Sequence, residues 1–197
     1  MVWVIAGLGN PGEEYASTRH NAGRMAAEFF AKVMHFEGWR EHKQSKSRAV
    51  GGMIGKTTVA VILPDTFMNK SGSAIVKFVK SAKSAERLIV IYDDLDLPIG
   101  KFKISFDRGS GGHKGLESVM RTLKTKRFTR IRIGVSPSTA SGETRKPEGK
   151  KVVMNFILTK FRAHELEELN RVFKRVAHAL EIIVTDGPER AMTEFNG

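Results

Sequence analysis

Three apolar, β-branched runs limit most strongly what this chain can fold into. "VWVIAG" (2–7), "GKTTVAVIL" (55–63) and "RLIVIYD" (87–93) read as strands. Helical spacing lies between them. Met25, Ala26, Phe29, Phe30, Val33 and Met34 form one stripe; Ile75, Phe78 and Val79 form a second; Leu116, Val119, Met120 and Leu123 form a third. Two alternating runs, "KFKISF" (101–106) and "RIRIGV" (130–135), read as half-buried strands of an antiparallel portion, with Arg130 and Arg132 on one face. "VVMNFIL" (152–158) reads as a last strand. A long stripe from Leu166 to Ile183 then predicts a C-terminal helix ended by Asp186-Gly187-Pro188. Strands interleaved with helices predict an α/β fold over residues 1–197: a single domain with a twisted mixed (parallel and antiparallel) β-sheet flanked by helices. Residues 136–151, "SPSTASGETRKPEGKK", read as an exposed, mobile loop between two strands.

The opening glycines, Gly7-Leu8-Gly9-Asn10-Pro11-Gly12, match G-x-G-x-x-G. A dinucleotide site also needs a helix opening at the last glycine and an acid about 20 residues on, ending a second strand. Here "EEYASTRHNAGR" follows without an apolar stripe, and "FFAKVM" stands where the second strand should end. The glycines and Pro11 instead predict a tight turn that presents Asn10 at the end of the first strand. "VGGMIGKTTV" similarly fails as a phosphate-binding loop. Val50 occupies the first glycine position, and a strand follows Lys56 where a helix is required, so a hairpin turn at Ile54-Gly55-Lys56 is expected.

Charge narrows the partner. The net is +12, from 33 basic and 21 acidic residues, and between Lys101 and Lys151 there are 14 Lys or Arg against four acids. Such a concentration suits a phosphate-rich partner through counterion release, or forms a solvated basic face. With no cysteine, disulfides, Cys-bound zinc and thiol nucleophiles are excluded, which fits a reducing compartment. No apolar run approaches the ~18 residues of a membrane span, and the first residues lack the pattern of a signal peptide. A cytoplasmic protein is expected. Six scattered histidines without H-x-x-x-H spacing argue against a metal site, and no G-x-S-x-G is present.

Four segments place polar groups at the ends of elements. "GLGNPGEEYASTRHNAG" carries Asn10 and then His20-Asn21. "LPDTFMNKSG" carries Met68 and Asn69. "LIVIYDDLDLPIG" carries Asp93, Asp94 and Asp96, and "DRGSGGHKG" carries His113 and Lys114 into a helix. If the first three meet at strand carboxyl ends, a His20–Asp93 pair forms a base able to take a proton from water. Side-chain amides nearby would hold a peptide backbone, since each offers donor and acceptor. Taken singly, each residue also has a structural use. His20 fits a turn, Asp93 a cap on the following turn, Asn69 a helix N-cap and Met68 packing, while the glycine loop is either punctuation or an anion site.

Together the stretches "GLGNPGEEYASTRHNAG", "TFMNKSG", "DDLDLPIGKFKI" and "GSGGHKGL" resemble the bacterial-type peptidyl-tRNA hydrolases, in order over nearly the whole chain. The resemblance implies a monomeric α/β enzyme, without metal or other cofactor and with no obligate protein partner. Its substrate would be peptidyl-tRNA, cleaved at the ester between peptide and 3′ ribose. It implies His20 as catalytic base and Asp93 as the carboxylate that orients it. Asn10 and Asn69 position the substrate, and Met68 and His113 line the cleft, with Tyr15 in the same neighbourhood. Lys114 departs from the family, which usually has Asn there; either the cation takes a phosphate or the family's role does not carry over to this position. Lys101, Lys103, Arg108 and Arg132 are the expected tRNA backbone contacts. Two other readings are a non-catalytic RNA-binding factor on the same fold, as in some plant relatives, and a hydrolase of small N-acyl esters. The second leaves the basic stretch unexplained.

Overall fold

The computed structural model describes residues 2–138 and 144–196. In chain order the elements are β1 (Val2–Gly7), α1 (Ala22–Val33), β2 (Arg40–His42), β3 (Ser47–Ile54), β4 (Thr57–Pro64), α2 (Ser71–Ile75) and α3 (Ala82–Ala85). There follow β5 (Leu88–Pro98), β6 (Phe102–Phe106), α4 (Lys114–Leu123), β7 (Thr129–Ser136), α5 (Lys150–Ile157), α6 (Ala163–Asp186) and α7 (Pro188–Phe195). The strands form one sheet in the order β2-β3-β4-β1-β5-β7-β6. β1 pairs in parallel with β4 and β5, and β5 with β7; β2, β3 and β6 join antiparallel at the two sides. This is the mixed sheet that the sequence patterns imply. Among the described residues, no helix is long and apolar enough to cross a membrane.

The central strands read as continuous apolar runs because helices cover both of their faces. On one face Ile5, Val61, Ile89, Ile91, Ile131 and Ile133 pack with Phe30 of α1 and Val176, Leu180 and Ile183 of α6. On the other, Val4, Ala6, Ile62, Val90 and Tyr92 pack with Ile75, Leu116 and Val119 from α2 and α4. The hairpin at Ile54-Gly55-Lys56 is present: Ile54 pairs with Thr57, and Gly55 takes φ +55. α6 ends at Gly187, whose φ is +98, and Pro188 opens α7, a helix beyond the one that the apolar stripe predicts.

Three expectations change. "VVMNFIL" lies in and just after α5, not in a strand. Its β-branched residues favour extended backbone, a local preference that the tertiary setting overrides. At the outer edge of β6, the Asn196 side chain accepts from Ile104 N (2.9 Å) and donates to Ile104 O (2.8 Å). The stretch 136–151 therefore joins a strand to a helix; its residues 139–143 lie outside the described residues. Finally, Arg130 is fully buried, not on a half-exposed face. Its guanidinium donates to the carbonyls of Lys126, Phe128 and Arg108 and stacks on the Phe128 ring at 4.2 Å. β7 has β5 and β6 on either side, and the loops before β7 and after β6 close over the Arg130 side chain.

One close approach sets the geometry of everything that follows. α1 meets the sheet through small residues: a Cβ added at Gly23 would lie 2.1 Å from the Ile91 carbonyl oxygen, and one at Gly7 would lie 2.5 Å from Ala27 Cβ. The helix therefore lies directly against β1 and β5. Leu8 N donates to Ile91 O and Arg24 N donates to Leu8 O, both at 2.9 Å, fixing the start of α1 beside the middle of β5. Gly23→Ala should destabilise the fold by about 3 kcal/mol, because the clash is with backbone that cannot turn aside. The gain in helix propensity, about 1 kcal/mol, is too small to offset it. Urea unfolding measures the difference, and a stabilised variant would contradict the close approach.

Candidate active site

The carboxyl ends of the parallel strands β4, β1 and β5 lie side by side, which is where an open α/β sheet leaves its crevice. The loop after β1 brings Asn10, the 3-10 turn Met68–Lys70 after β4 brings Met68 and Asn69, and β5 brings Asp93. β5 does not stop at its acids. It runs to Pro98 with a register irregularity against β7 between Asp94 and Pro98, so Asp93 is a buried residue within the strand. A second 3-10 turn, Arg19–Asn21, delivers His20 from the start of α1. A cleft of about 1450 Å³ opens over these residues, and its wall includes Tyr92, the glycine loop 108–112 and residues of α5.

Asp93 holds two imidazoles. His20 Nδ1 lies 2.9 and 3.0 Å from the two carboxylate oxygens, and His113 Nε2 lies 3.0 Å from Oδ1. The tautomers follow from the partners. Leu116 N, always a donor, lies 3.2 Å from His113 Nδ1, so that nitrogen accepts and Nε2–H donates to Asp93. His113 is thus at once the N-cap of α4 and a ligand of the carboxylate. His20 donates Nδ1–H to Asp93, which leaves Nε2 as the basic nitrogen facing the cleft. The two rings are tilted at 5.1 Å between centroids.

The electrostatics follow from burial and pairing. Burial alone would raise the Asp93 pKa, but the charges of and hydrogen bonds from His20 and His113 hold it well below the usual carboxylate range. For His20, burial would lower the pKa, yet the adjacent Asp93 charge and hydrogen bond outweigh it, so the net direction is upward. Burial, with Asp94 adding to it, pushes the Tyr92 phenol up to about 12. Its neutral ring packs against His113 at 4.9 Å. Among the described residues, His20, Asp93 and His113 are also the groups that could share a metal ion, each bringing one donor atom within 4.8 Å of the others. Histidine spacing in the sequence does not reveal this set, because its members come from three separate elements.

Asn10 is held from two sides. Its backbone N–H donates to Asn21 Oδ1 (2.8 Å), Asn21 Nδ2 donates to Asn10 O (3.0 Å), and Met68 N donates to Asn10 Oδ1 (2.9 Å). With its oxygen engaged, the Asn10 carboxamide offers N–H donors to the cleft. Met68 is buried, and a Cβ on Gly115 would come within 2.4 Å of its sulfur, so the glycine lets α4 sit against the turn. Asn69 is exposed on the cleft wall.

The family model for peptidyl-tRNA hydrolases matches residues 4–197. Over 200 residues the chain is 39% identical to the peptidyl-tRNA hydrolase of Herpetosiphon aurantiacus, an alignment covering all of this chain and 91% of that protein. It is 34% identical to that of Aquifex aeolicus, with 98% and 95% covered. The fold superposes with a TM-score of 0.87 on the crystal structure of a peptidyl-tRNA hydrolase in complex with N-propanol, at 30% identity, covering 100% of this chain and 95% of that one. The chain belongs to the peptidyl-tRNA hydrolase family.

The residues singled out by the family resemblance and by the basic stretch do not all reach the cleft. His20, Asp93, Asn10, Asn69, Met68, His113, Lys114, Lys103, Arg108 and Arg132 line it; Tyr15 and Lys101 do not. Tyr15 is half-buried in the turn Glu13–Tyr15, its carbonyl accepting from Thr18, and Lys101 is exposed between β5 and β6. Lys114 is exposed at the cleft and pairs with Glu117 at 3.0 Å. Arg132 is paired with Asp94 at 2.6 Å, which takes up part of its charge. Even so, seven cations against four acids line the cleft. Sequence reasoning passed over Asn21 and Tyr92 as site residues, although each adjoins a singled-out residue.

NMR titration of the His20 ring tests the electrostatic account. Its pKa should lie above the ordinary 6.5 and fall in Asp93→Asn, where the attracting charge is gone and burial remains. The linkage sign follows. A raised folded-state value means that the pair adds stability below the unfolded pKa, and that this is lost as pH rises through the folded value.

Proposed function

We propose that this enzyme cleaves the peptidyl-tRNA ester with water activated by His20. The observation that carries the reading is the His20 Nδ1–Asp93 contact, which directs the basic Nε2 into a cleft with more cations than acids. In this scheme Nε2 takes a proton from a water molecule while its oxygen attacks the ester carbonyl carbon of the peptide. The resulting tetrahedral oxyanion is met by the N–H donors of Asn10, and Asn69 holds the peptide backbone. Collapse breaks the bond to the 3′ ribose oxygen, which takes the proton back from the His20 imidazolium. Asp93 remains ionised throughout and orients the ring. No protein nucleophile is consumed, and water supplies the only atoms added.

The basic wall supports a nucleic-acid moiety on the leaving-group side. Lys103 and Arg132 are register partners on β6 and β7, and with Arg108 they present donors suited to phosphate oxygens. We take the enzyme to act as a monomer, without a metal, in the cytoplasm, where ribosomes release its substrate. Both non-enzymatic RNA binding and hydrolysis of small esters leave part of this arrangement unused: the first the His20–Asp93 pair, the second the basic wall.

EDTA-treated protein should hydrolyse N-acetyl-aminoacyl-tRNA, and His20→Ala should lose about 10²–10⁴-fold in kcat while still binding tRNA. Tight binding without hydrolysis by the unsubstituted chain would favour the RNA-binding reading. The acid limb of kcat/KM should lie above 6.5, since His20 acts only when neutral and its pKa is raised in the free enzyme. Lys103→Ala should weaken tRNA binding and reduce the slope of log K against log salt by about 1. A slope equal to that of the unsubstituted enzyme would remove Lys103 from the interface.

A further inference from the structure

The residue before the base is a buried arginine for which the hydrolytic scheme has no use. Arg19 Nε donates to Thr159 Oγ1 (3.1 Å), one terminal nitrogen donates to Val135 O (3.0 Å), and the other donates to both oxygens of Glu165 (2.8 and 2.9 Å). The guanidinium lies 4.6 Å from the centroid of Phe156 and 5.0 Å from that of Phe161. The main chain joins in. Arg19 N donates to Thr159 O and Phe161 N to Ser17 O, both at 3.0 Å, and Thr18 bridges Lys160 antiparallel.

We propose that Arg19 is a positioning residue for catalysis, its forked contacts fixing the His20 turn to the end of β7, the start of α6 and the back of α5. The proposal rests on the reading of His20 as the base. Three observations carry it. First, the turn Arg19–Asn21 is only three residues long and supplies little hydrogen bonding of its own. Second, a buried ion pair adds little net stability over apolar packing, so what these contacts supply is geometry. Glu165 is itself immobilised, accepting from Arg162 N (2.7 Å) in the first turn of α6. Third, α5 has two functional sides. Val153, Met154 and Ile157 line the cleft, whereas Phe156 does not line it and stacks on Arg19. The cleft wall and the base are thus attached to one guanidinium, whose planar fork a lysine cannot reproduce. Misplacing a catalytic group by about 1 Å costs on the order of 10²-fold.

The test is kinetics on N-acetyl-aminoacyl-tRNA with Arg19→Lys and Phe156→Leu, each made in the unsubstituted enzyme and in His20→Ala. Arg19→Lys should lower kcat about 10- to 100-fold with KM within about twofold. It should add no further loss in the His20→Ala background under single-turnover conditions, because a misplaced base matters only when the base is there. Phe156→Leu should give the same split at a few-fold, and it decides the matter if Arg19→Lys does not fold. Unchanged kcat in the folded variants, or an equal loss with and without His20, would overturn the positioning role. Full turnover by His20→Ala would instead overturn the base assignment on which the role depends.

Discussion

A buried, ionised carboxylate organises this molecule. Asp93 sits within β5 at 3% exposure, where an unpaired charge would be costly enough to force protonation. Two ring N–H groups remove that cost, and they come from separate elements, the turn before α1 and the N-cap of α4. Each element must therefore reach the middle of the same strand. The glycines at the contacts make this feasible: Gly23 admits the Ile91 carbonyl, and Gly115 admits the Met68 sulfur. The helices are placed by close approach, and the charge requirement selects what they carry there.

The histidines are not equivalent. His113 has both nitrogens engaged, one by Leu116 N and one by Asp93, so its tautomer is set by the start of a helix. His20 spends only Nδ1 on the carboxylate. The asymmetry separates a ring that holds the carboxylate in place from one with a basic nitrogen to offer. Behind His20, the Arg19 fork plays the corresponding part where α5, α6 and the end of β7 meet. Both anchors use groups whose planarity converts hydrogen bonds into fixed orientation.

How much of this was legible in the sequence differs from element to element. Strands β1, β4 and β5 and helices α1, α4 and α6 show clear periods, because burial on one or both faces leaves an apolar pattern. α5 departs from the local signal: Val152 and Val153 favour extended backbone, yet the segment is helical, with Val153, Met154 and Ile157 on the cleft. Arg130 looked like a surface residue in an alternating run, yet carbonyls from two loops and the Phe128 ring surround it. Tyr15 and Lys101 lie in or beside motifs that otherwise supply the cleft, yet neither lines it.

By itself the sequence determined the α/β class, the basic character of the partner surface and the four polar segments, because these depend on local period, composition and order. The tertiary structure alone decided that His20 and His113 share Asp93, that Asn10 faces the cleft with its donors, and that Arg19 stands behind the base. These relations join residues 20 to 146 positions apart. Their energies depend on distance and burial, which no local pattern encodes.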